Sequence, residues 1–292
     1  MKSRITRRGV VGGMLGLGAV AMAGVGSARN AIAAESPAKL KGRIHHSVCR
    51  WCYGGWSFDQ LCQNAVALGI TGIDLLGPSE WPTLAKYGLK CAIANAPGVD
   101  IAHGFNHVED HDRFVKLYES LIPQAAEAGI KNVICLSGNR AGIDDEQGMK
   151  NCVVGIQRII KLAEKHNVTI VMELLNSKVD HHDYQCDHTA WGVELCKRIG
   201  SKQFKLLYDI YHMQIMEGDL IATIKKNIQY IAHFHTGGVP GRAEIDSTQE
   251  INYPAVMKAI VATGYQGFVA QEFIPKHDPL TSLRQAIEIC DV

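Results

Sequence analysis

The chain has 292 residues, 47% of them hydrophobic and 20% charged, an ordinary globular composition with ample material for a core. Its 30 Lys and Arg set against 29 Asp and Glu leave a formal net charge of +1, and beyond the first eight residues no basic cluster stands out. That balance speaks against a phosphate-backbone binder, which would carry a basic surface.

Residues 1–8 are basic, and an apolar, glycine-rich run follows over 9–26. Thr6-Arg7-Arg8-Gly9-Val10-Val11 resembles the twin-arginine export signal, and Ala31-Ile32-Ala33 offers an A-x-A cleavage site. Residues 1–33 therefore read as a signal peptide, 34–42 as a linker and 43–292 as a single domain of an exported, periplasmic-type protein. The apolar run is short and weakly hydrophobic for a span, so no stable membrane anchor is expected after processing. Processing would remove Lys2, Arg4, Arg7, Arg8 and Arg29, lowering Lys and Arg from 30 to 25 against 29 acids. The mature chain is then mildly acidic and close to the roughly 250 residues of one (β/α)8 barrel.

Strand and helix patterns alternate from there on. A strand over 44–49 precedes a helix over 58–68 that Gly69 stops, and a second strand, 72–76, precedes a helix over 80–87. The third strand, 91–94, leads into a long polar loop and then a strongly periodic helix, 112–128, stopped by Gly129. The fourth strand and helix fall at 133–136 and 146–166. The fifth strand, 168–175, opens a second long loop, 176–188, before a helix over 190–199. Strands over 204–208, 231–235 and 268–273 are each followed by a helix, at 219–227, 253–262 and 280–289. Eight strand–helix repeats predict a closed TIM barrel, with a doubly wound open sheet as the other option. The first strand is not followed by G-x-G-x-x-G, which counts against a dinucleotide site there.

In a barrel the C-terminal strand ends face the active site. The fifth strand brings Glu173 there, the sixth Asp209, the seventh His235 and the eighth Glu272. One buried acid is commonly satisfied by a nearby cation, but Lys205 is the only cation near these strand ends, and four such positions ask for a metal. Three carboxylates and an imidazole suit Mn²⁺ or Mg²⁺, with Co²⁺ or Zn²⁺ as further options. Thiolates are absent from the set, and Cys49-Arg50-Trp51-Cys52 has no second C-x-x-C pair, so neither structural zinc nor a redox motif is expected. The nine cysteines otherwise read as small buried hydrophobes.

Tyr211-His212-Met213-Gln214-Ile215-Met216-Glu217-Gly218-Asp219-Leu220, with Gly238-Val239-Pro240-Gly241-Arg242, resemble the hydroxypyruvate isomerase family. That family belongs to the xylose isomerase-like TIM barrels, with ketose 3-epimerases as relatives. The similarity is dense over 173–273 and looser from Ser47 onward. It implies isomerisation of hydroxypyruvate to tartronate semialdehyde through a cis-enediolate, with Glu173 and Glu272 as the acid/base pair. It further implies Asp209 and His235 as the remaining metal ligands, His212 as a substrate contact, and Arg242 as a bidentate partner for a substrate carboxylate. Hydroxypyruvate isomerases commonly carry glutamine where this chain has His235, as the epimerases do.

Softer candidates are His103, Asn106 and His107 in the loop after the third strand, and His181, His182 and Tyr184 after the fifth. Each could line the pocket or simply belong to a solvated loop. Trp51 and Tyr53 could form an apolar wall against substrate carbons or be plain packing. His233 is expected to point opposite His235. The expected partner is a small keto acid or sugar rather than nucleic acid, and the relatives' dimers and tetramers leave a homo-oligomer open. A ketose 3-epimerase or 3-keto-sugar lyase on the same site is the alternative. An endonuclease IV-like enzyme would need a three-metal site and a basic surface, and a non-catalytic sugar-binding protein would need no metal.

Overall fold

The structure, a computed structural model, describes residues 39–292. The signal peptide and most of the linker expected from the sequence lie outside the described residues. β1 (His45–Cys49), β2 (Gly72–Leu76), β3 (Lys90–Ala94) and β4 (Asn132–Cys135) alternate with α1 (Phe58–Ala67), α2 (Trp81–Lys86), α3 (His111–Glu127) and α4 (Asp145–His166). β5 (Thr169–Glu173) is followed by α5 (Thr189–Ile199), and β6 (Phe204–Asp209) by α6 (Ile210–Met216) and α7 (Leu220–Asn227). β7 (Ile231–Thr236), α8 (Tyr253–Ala262), β8 (Phe268–Gln271) and α9 (Pro279–Cys290) complete the order. Neighbouring strands pair in parallel, and β1 pairs with β8, so the sheet closes on itself as a barrel.

The helix boundaries have local causes. Ser57 and Gln60 form a reciprocal capping box at the start of α1, a device worth about 1 kcal/mol. Gly129 and Gly200, at φ 74° and 71°, take the left-handed conformation that ends α3 and α5. α6 is the one helix missed at the sequence level. It begins on the residue after β6 with no connecting loop, because Asp209 caps it by accepting from the His212 N–H at 3.2 Å.

Strand alternation sorts the side chains into two sets. Val133, Ile170, Leu206 and Phe234 belong to the large core between sheet and helices. Ile93, Ile134, Val171 and Leu207, from β3 to β6, form a separate fully enclosed cluster inside the barrel. Two residues above Val171 and Leu207 on the same face stand Glu173 and Asp209. The same periodicity corrects one expectation: His233 and His235 are two apart and point the same way, into the barrel, where both reach Asp74.

His46 of β1 is 1% exposed, and neither ring nitrogen has a hydrogen-bond partner among the described residues. Burial lowers its pKa from 6.5 to about 4, against the opposing charge of Asp291. The unfolded chain therefore takes up this proton first. The resulting stability is complete above about pH 6.5 and is lost as pH falls toward 4, by up to about 3 kcal/mol. Urea midpoints measured from pH 7 to 4 should fall, and His46→Leu should reduce that slope; an unchanged slope would exonerate His46.

Candidate active site

Glu173, Asp209, His235 and Glu272 come together at the C-terminal rim, with one ligand atom from each lying within 4.8 Å of all the others. Closure of the barrel produces this meeting. Asp209 and His235 are register partners on adjacent strands, and His235 is the register partner of Ala270, two residues before Glu272. Nδ1 of His235 stands 2.6 Å from Glu272 Oε2 and 3.3 Å from Glu173 Oε1. Yet that nitrogen and Glu173 Oε1 are buried without a hydrogen-bond partner among the described residues. Buried acceptor atoms that converge without bonding one another are what a shared cation would satisfy, so these residues fit a divalent ion. No shared cation reaches them from Lys205, whose Nζ instead donates to Gln229 O at 2.8 Å.

The opposite nitrogen of the His235 ring explains its orientation. Nε2 faces Asp74 Oδ2 at 3.3 Å, and the same oxygen is 2.5 Å from His233 Nε2. A proton on Nε2 of His235, donated to Asp74, leaves the Nδ1 lone pair aimed at the carboxylates. Burial alone would raise the Asp74 carboxyl, but the His233 charge and the two imidazole hydrogen bonds outweigh it and hold the pKa at about 2. Asp74 was not recognised from the sequence. It sits in β2 between Ile73 and Leu75, and its histidine partners lie 159 and 161 residues away.

Asp209 behaves differently. Burial, reinforced by the charges of Glu272 and Glu173, raises its pKa to about 8 despite Arg242 and His235. Glu272 is driven well below the usual carboxylate range: burial opposes this, but His235, Arg242 and the Trp51 hydrogen bond prevail. Opposite shifts in neighbouring acids are the mark of like charges crowded together, a repulsion that a bound cation relieves.

Arg242 supplies positive charge from the loop after β7. Its Nη2 donates to Glu272 Oε2 at 2.6 Å and lies 3.4 Å from Asp209 Oδ2. The guanidinium stands over the Trp51 and Tyr211 rings at 5.1 and 5.4 Å, and its backbone holds φ at 54°, a strained value for a non-glycine residue. Trp51 is more than a wall, because its indole N–H donates to Glu272 Oε1 at 2.8 Å. Cys49 Sγ lies 3.8 Å from His235 Nε2. Burial, with Glu272 nearby, holds that thiol well above its usual range, and Cys49, His235 and Glu272 also lie close enough together to share an ion.

A cavity of roughly 400 Å³ opens over this cluster, and Trp51, Glu173, His181, Arg242 and Glu272 line it. Asp209 and His235 are wholly buried, at 0% exposure, against 7% for Glu173 and 2% for Glu272. The two glutamates therefore touch the cavity, while the aspartate and the histidine stand behind them.

Other expected residues are placed elsewhere. His212 is fully buried behind Asp209, with Nε2 3.6 Å from Asp209 Oδ2 and Nδ1 accepting from the Asn176 N–H at 3.1 Å. Burial, helped by the charge of Arg242, keeps it far below the ordinary histidine range and so neutral. Its ring packs on His181, which does reach the cavity. His103 is exposed and bonded to Asp100, which lines the cavity, and is not itself among the lining residues. Asn106 is buried but bound to Asn139 O and Gln185 Oε1, in a loop fastened to the end of β4 through Asn106 N to Ser137 O. Gly104 makes that fastening possible, since a Cβ there would lie 2.2 Å from the Ser137 carbonyl carbon. His107 likewise bonds to Asn139 O, and His182 faces Ser177 O on the exposed side of its loop. Tyr184 is a buried brace whose hydroxyl donates to Glu173 O and accepts from Ser137 N.

Residues 63–291 match the family model described as xylose isomerase-like TIM barrel. The chain belongs to that family. It is 27% identical to hydroxypyruvate isomerase of Escherichia coli (strain K12) over 243 residues, covering 80% of this chain and 93% of that protein. A shorter match, 34% over 114 residues, links it to 2-oxo-tetronate isomerase of Cupriavidus necator and covers 39% of this chain and 43% of that protein. Among solved structures, the AP endonuclease, family 2, from Brucella melitensis superposes with a TM-score of 0.75 at 23% identity, over 82% of this chain and 97% of that one. At that identity the likeness concerns the fold alone. The protein is an isomerase of this family.

Asp74→Asn keeps the shape of the Asp74 side chain while removing the charge that orients His235. Affinity for Mn²⁺, measured by calorimetric titration, should drop about 10- to 100-fold. An unchanged affinity would mean that the ring is held by packing alone.

Proposed function

We propose that the protein is a divalent-metal-dependent isomerase that moves a carbonyl between adjacent carbons of a small hydroxy-keto acid, as in conversion of hydroxypyruvate to tartronate semialdehyde. The observation that carries this reading is the convergence of Glu173, Asp209, His235 and Glu272 within 4.8 Å beneath a cavity that only the two glutamates reach. Mn²⁺ or Mg²⁺ suits the donor set best, with Co²⁺ or Zn²⁺ as alternatives. A bound ion would polarise a carbonyl oxygen and offset negative charge as it develops.

The chain's own residues would do the rest. One glutamate takes a proton from the hydroxyl-bearing carbon, and the electron pair moves through the new C=C bond onto the carbonyl oxygen, giving a cis-enediolate. The other glutamate returns a proton to the former carbonyl carbon, the proton of the remaining hydroxyl passes to the former carbonyl oxygen, and the carbonyl re-forms next door. Both glutamate carboxyls stand within 3.3 Å of the same imidazole nitrogen, so one small carbon frame can touch each. An ion held by Glu272 would engage the carboxylate that Arg242 now pairs with. The guanidinium, stacked at the rim on Trp51 and Tyr211, would then be available to a substrate carboxylate as a planar two-point donor. His235, the feature shared with the epimerases, favours 3-epimerisation of a ketose as the second reading, since the same two glutamates would serve it.

Export through a twin-arginine-type signal belongs to the same proposal. That route carries folded proteins, so the ion would be loaded before translocation.

Glu173→Gln and Glu272→Gln should each cut exchange of the substrate α-proton with deuterated solvent by at least about 10³-fold, given what positioned acid/base groups contribute. Near-infrared absorption of bound Co²⁺ should still report a loaded site. Exchange at the parent rate in either variant would eliminate the paired-glutamate mechanism.

A further inference from the structure

One wall of the cavity has a character of its own. Leu75, Ile134, Leu136, Leu175, Val99 and Ile101 form it, with Asn95 and Asp100 as the polar residues of the same β3 loop that join the lining. Strand periodicity makes this an intrinsic property of the barrel. Ile134 belongs to the apolar interior cluster supplied by β3 to β6, and Leu136 and Leu175 continue the inward faces of β4 and β5 above it. The inward faces of β7, β8, β1 and β2 carry His233, His235, Glu272, Cys49 and Asp74, and Glu173 and Asp209 stand above Val171 and Leu207 on β5 and β6. The hydrocarbon surface of the cavity is thus centred on β4, through Ile134 and Leu136, with Leu75 and Leu175 beside it.

Leu75 joins that surface by an unusual route. It follows the inward-facing Asp74, and regular alternation would turn it away from the barrel. The β2–β3 register breaks between Asp74 and Leu76, and Leu75 adopts φ 62°, a backbone conformation a leucine rarely takes. The strained residue packs on the interior cluster and lines the cavity. Strain maintained at one residue to present an apolar side chain marks a position under functional constraint.

Size points the same way. Roughly 400 Å³ lies within the range of pockets that enclose ligands well beyond three carbons. A polyhydroxylated chain laid on this wall would lose hydroxyl hydration with few partners in return, whereas a hydrocarbon chain would gain from burial.

We infer that the substrate is amphipathic: a hydroxy-keto head taken at Glu173 and Glu272, continued by a hydrocarbon or flat apolar tail on Leu75, Ile134, Leu136 and Leu175. The inference rests on the function proposed above for the head and adds the class of the tail. Hydroxypyruvate then fits the head and leaves the wall uncovered.

The test is a ligand series on the Mn²⁺-loaded protein, with dissociation constants read from quenching of tryptophan fluorescence, because Trp51 lines the cavity. The series is hydroxypyruvate, then 3-hydroxy-2-oxobutanoate, -pentanoate and -hexanoate, with 2-oxo-tetronate as the polyhydroxylated comparison. Each added carbon should tighten binding about fourfold, the gain expected from burying one methylene. 2-Oxo-tetronate should bind more weakly than 3-hydroxy-2-oxobutanoate, and Leu136→Asn should flatten the gradient. A flat series in the parent protein, or 2-oxo-tetronate as the tightest ligand, overturns the inference. Graded binding with no α-proton exchange from any member would support the apolar tail site and defeat the isomerase reading. Exchange with ungraded binding would do the reverse.

Discussion

Three carboxylates share a buried space only a few ångströms across, and that repulsion is the constraint on which the rest of the site depends. Two like charges 4 Å apart repel by about 4 kcal/mol even at the effective dielectric of a protein surface. Asp209 shows the effect in a pKa raised to about 8 by burial and by its two neighbours. The surroundings answer this crowding from two sides. Arg242 and the Trp51 indole reach Glu272 from the rim, and the His235 imidazole, oriented by Asp74 from below, faces the same carboxylate at 2.6 Å. Each of these partners comes from a different strand or loop, so none of the arrangement exists until the barrel has closed.

Closure also explains how a catalytic centre and a hydrocarbon wall coexist in one mouth. In a parallel barrel every strand contributes alternate residues to a common interior, and the strand that supplies them fixes their position around the ring. β3 to β6 contribute Ile93, Ile134, Val171 and Leu207 to the lower level. β7, β8, β1 and β2 contribute histidine, carboxylate and thiol. Chemistry and hydrophobic contact thereby share one interior, with Glu173 and Asp209 standing directly above Val171 and Leu207 on β5 and β6.

Much of this was legible in the sequence, for identifiable reasons. Eight short apolar runs, separated by periodic helices and stopping glycines, specify the repeat, and polar residues closing four of those runs specify the cluster of Glu173, Asp209, His235 and Glu272. What escaped notice depends on distance or on missing punctuation. Asp74 carries no local mark, since its meaning lies in histidines some 160 residues away along the chain. α6 follows β6 without a turn, so no breaker announces it, although Asp209 three residues before His212 is a capping arrangement. Asn106 and His103 look like pocket residues by composition. Only the close approach of Gly104 to the end of β4 reveals that this part of the loop is tied down there, while Val99 and Ile101 earlier in the same loop line the cavity.

The carboxylate of Asp209 belongs to two structures at once. Oδ1 accepts the first free amide of α6, and Oδ2 faces Arg242 and the acid cluster. A short helix with little propensity of its own is therefore anchored to the charge state of the centre. Anything that displaces this side chain loosens the helix that carries Tyr211 and His212, and with it one of the two rings on which Arg242 rests. In such a barrel, the ordering of the mouth at 210–216 and the charge state of the acid centre are coupled through a single side chain.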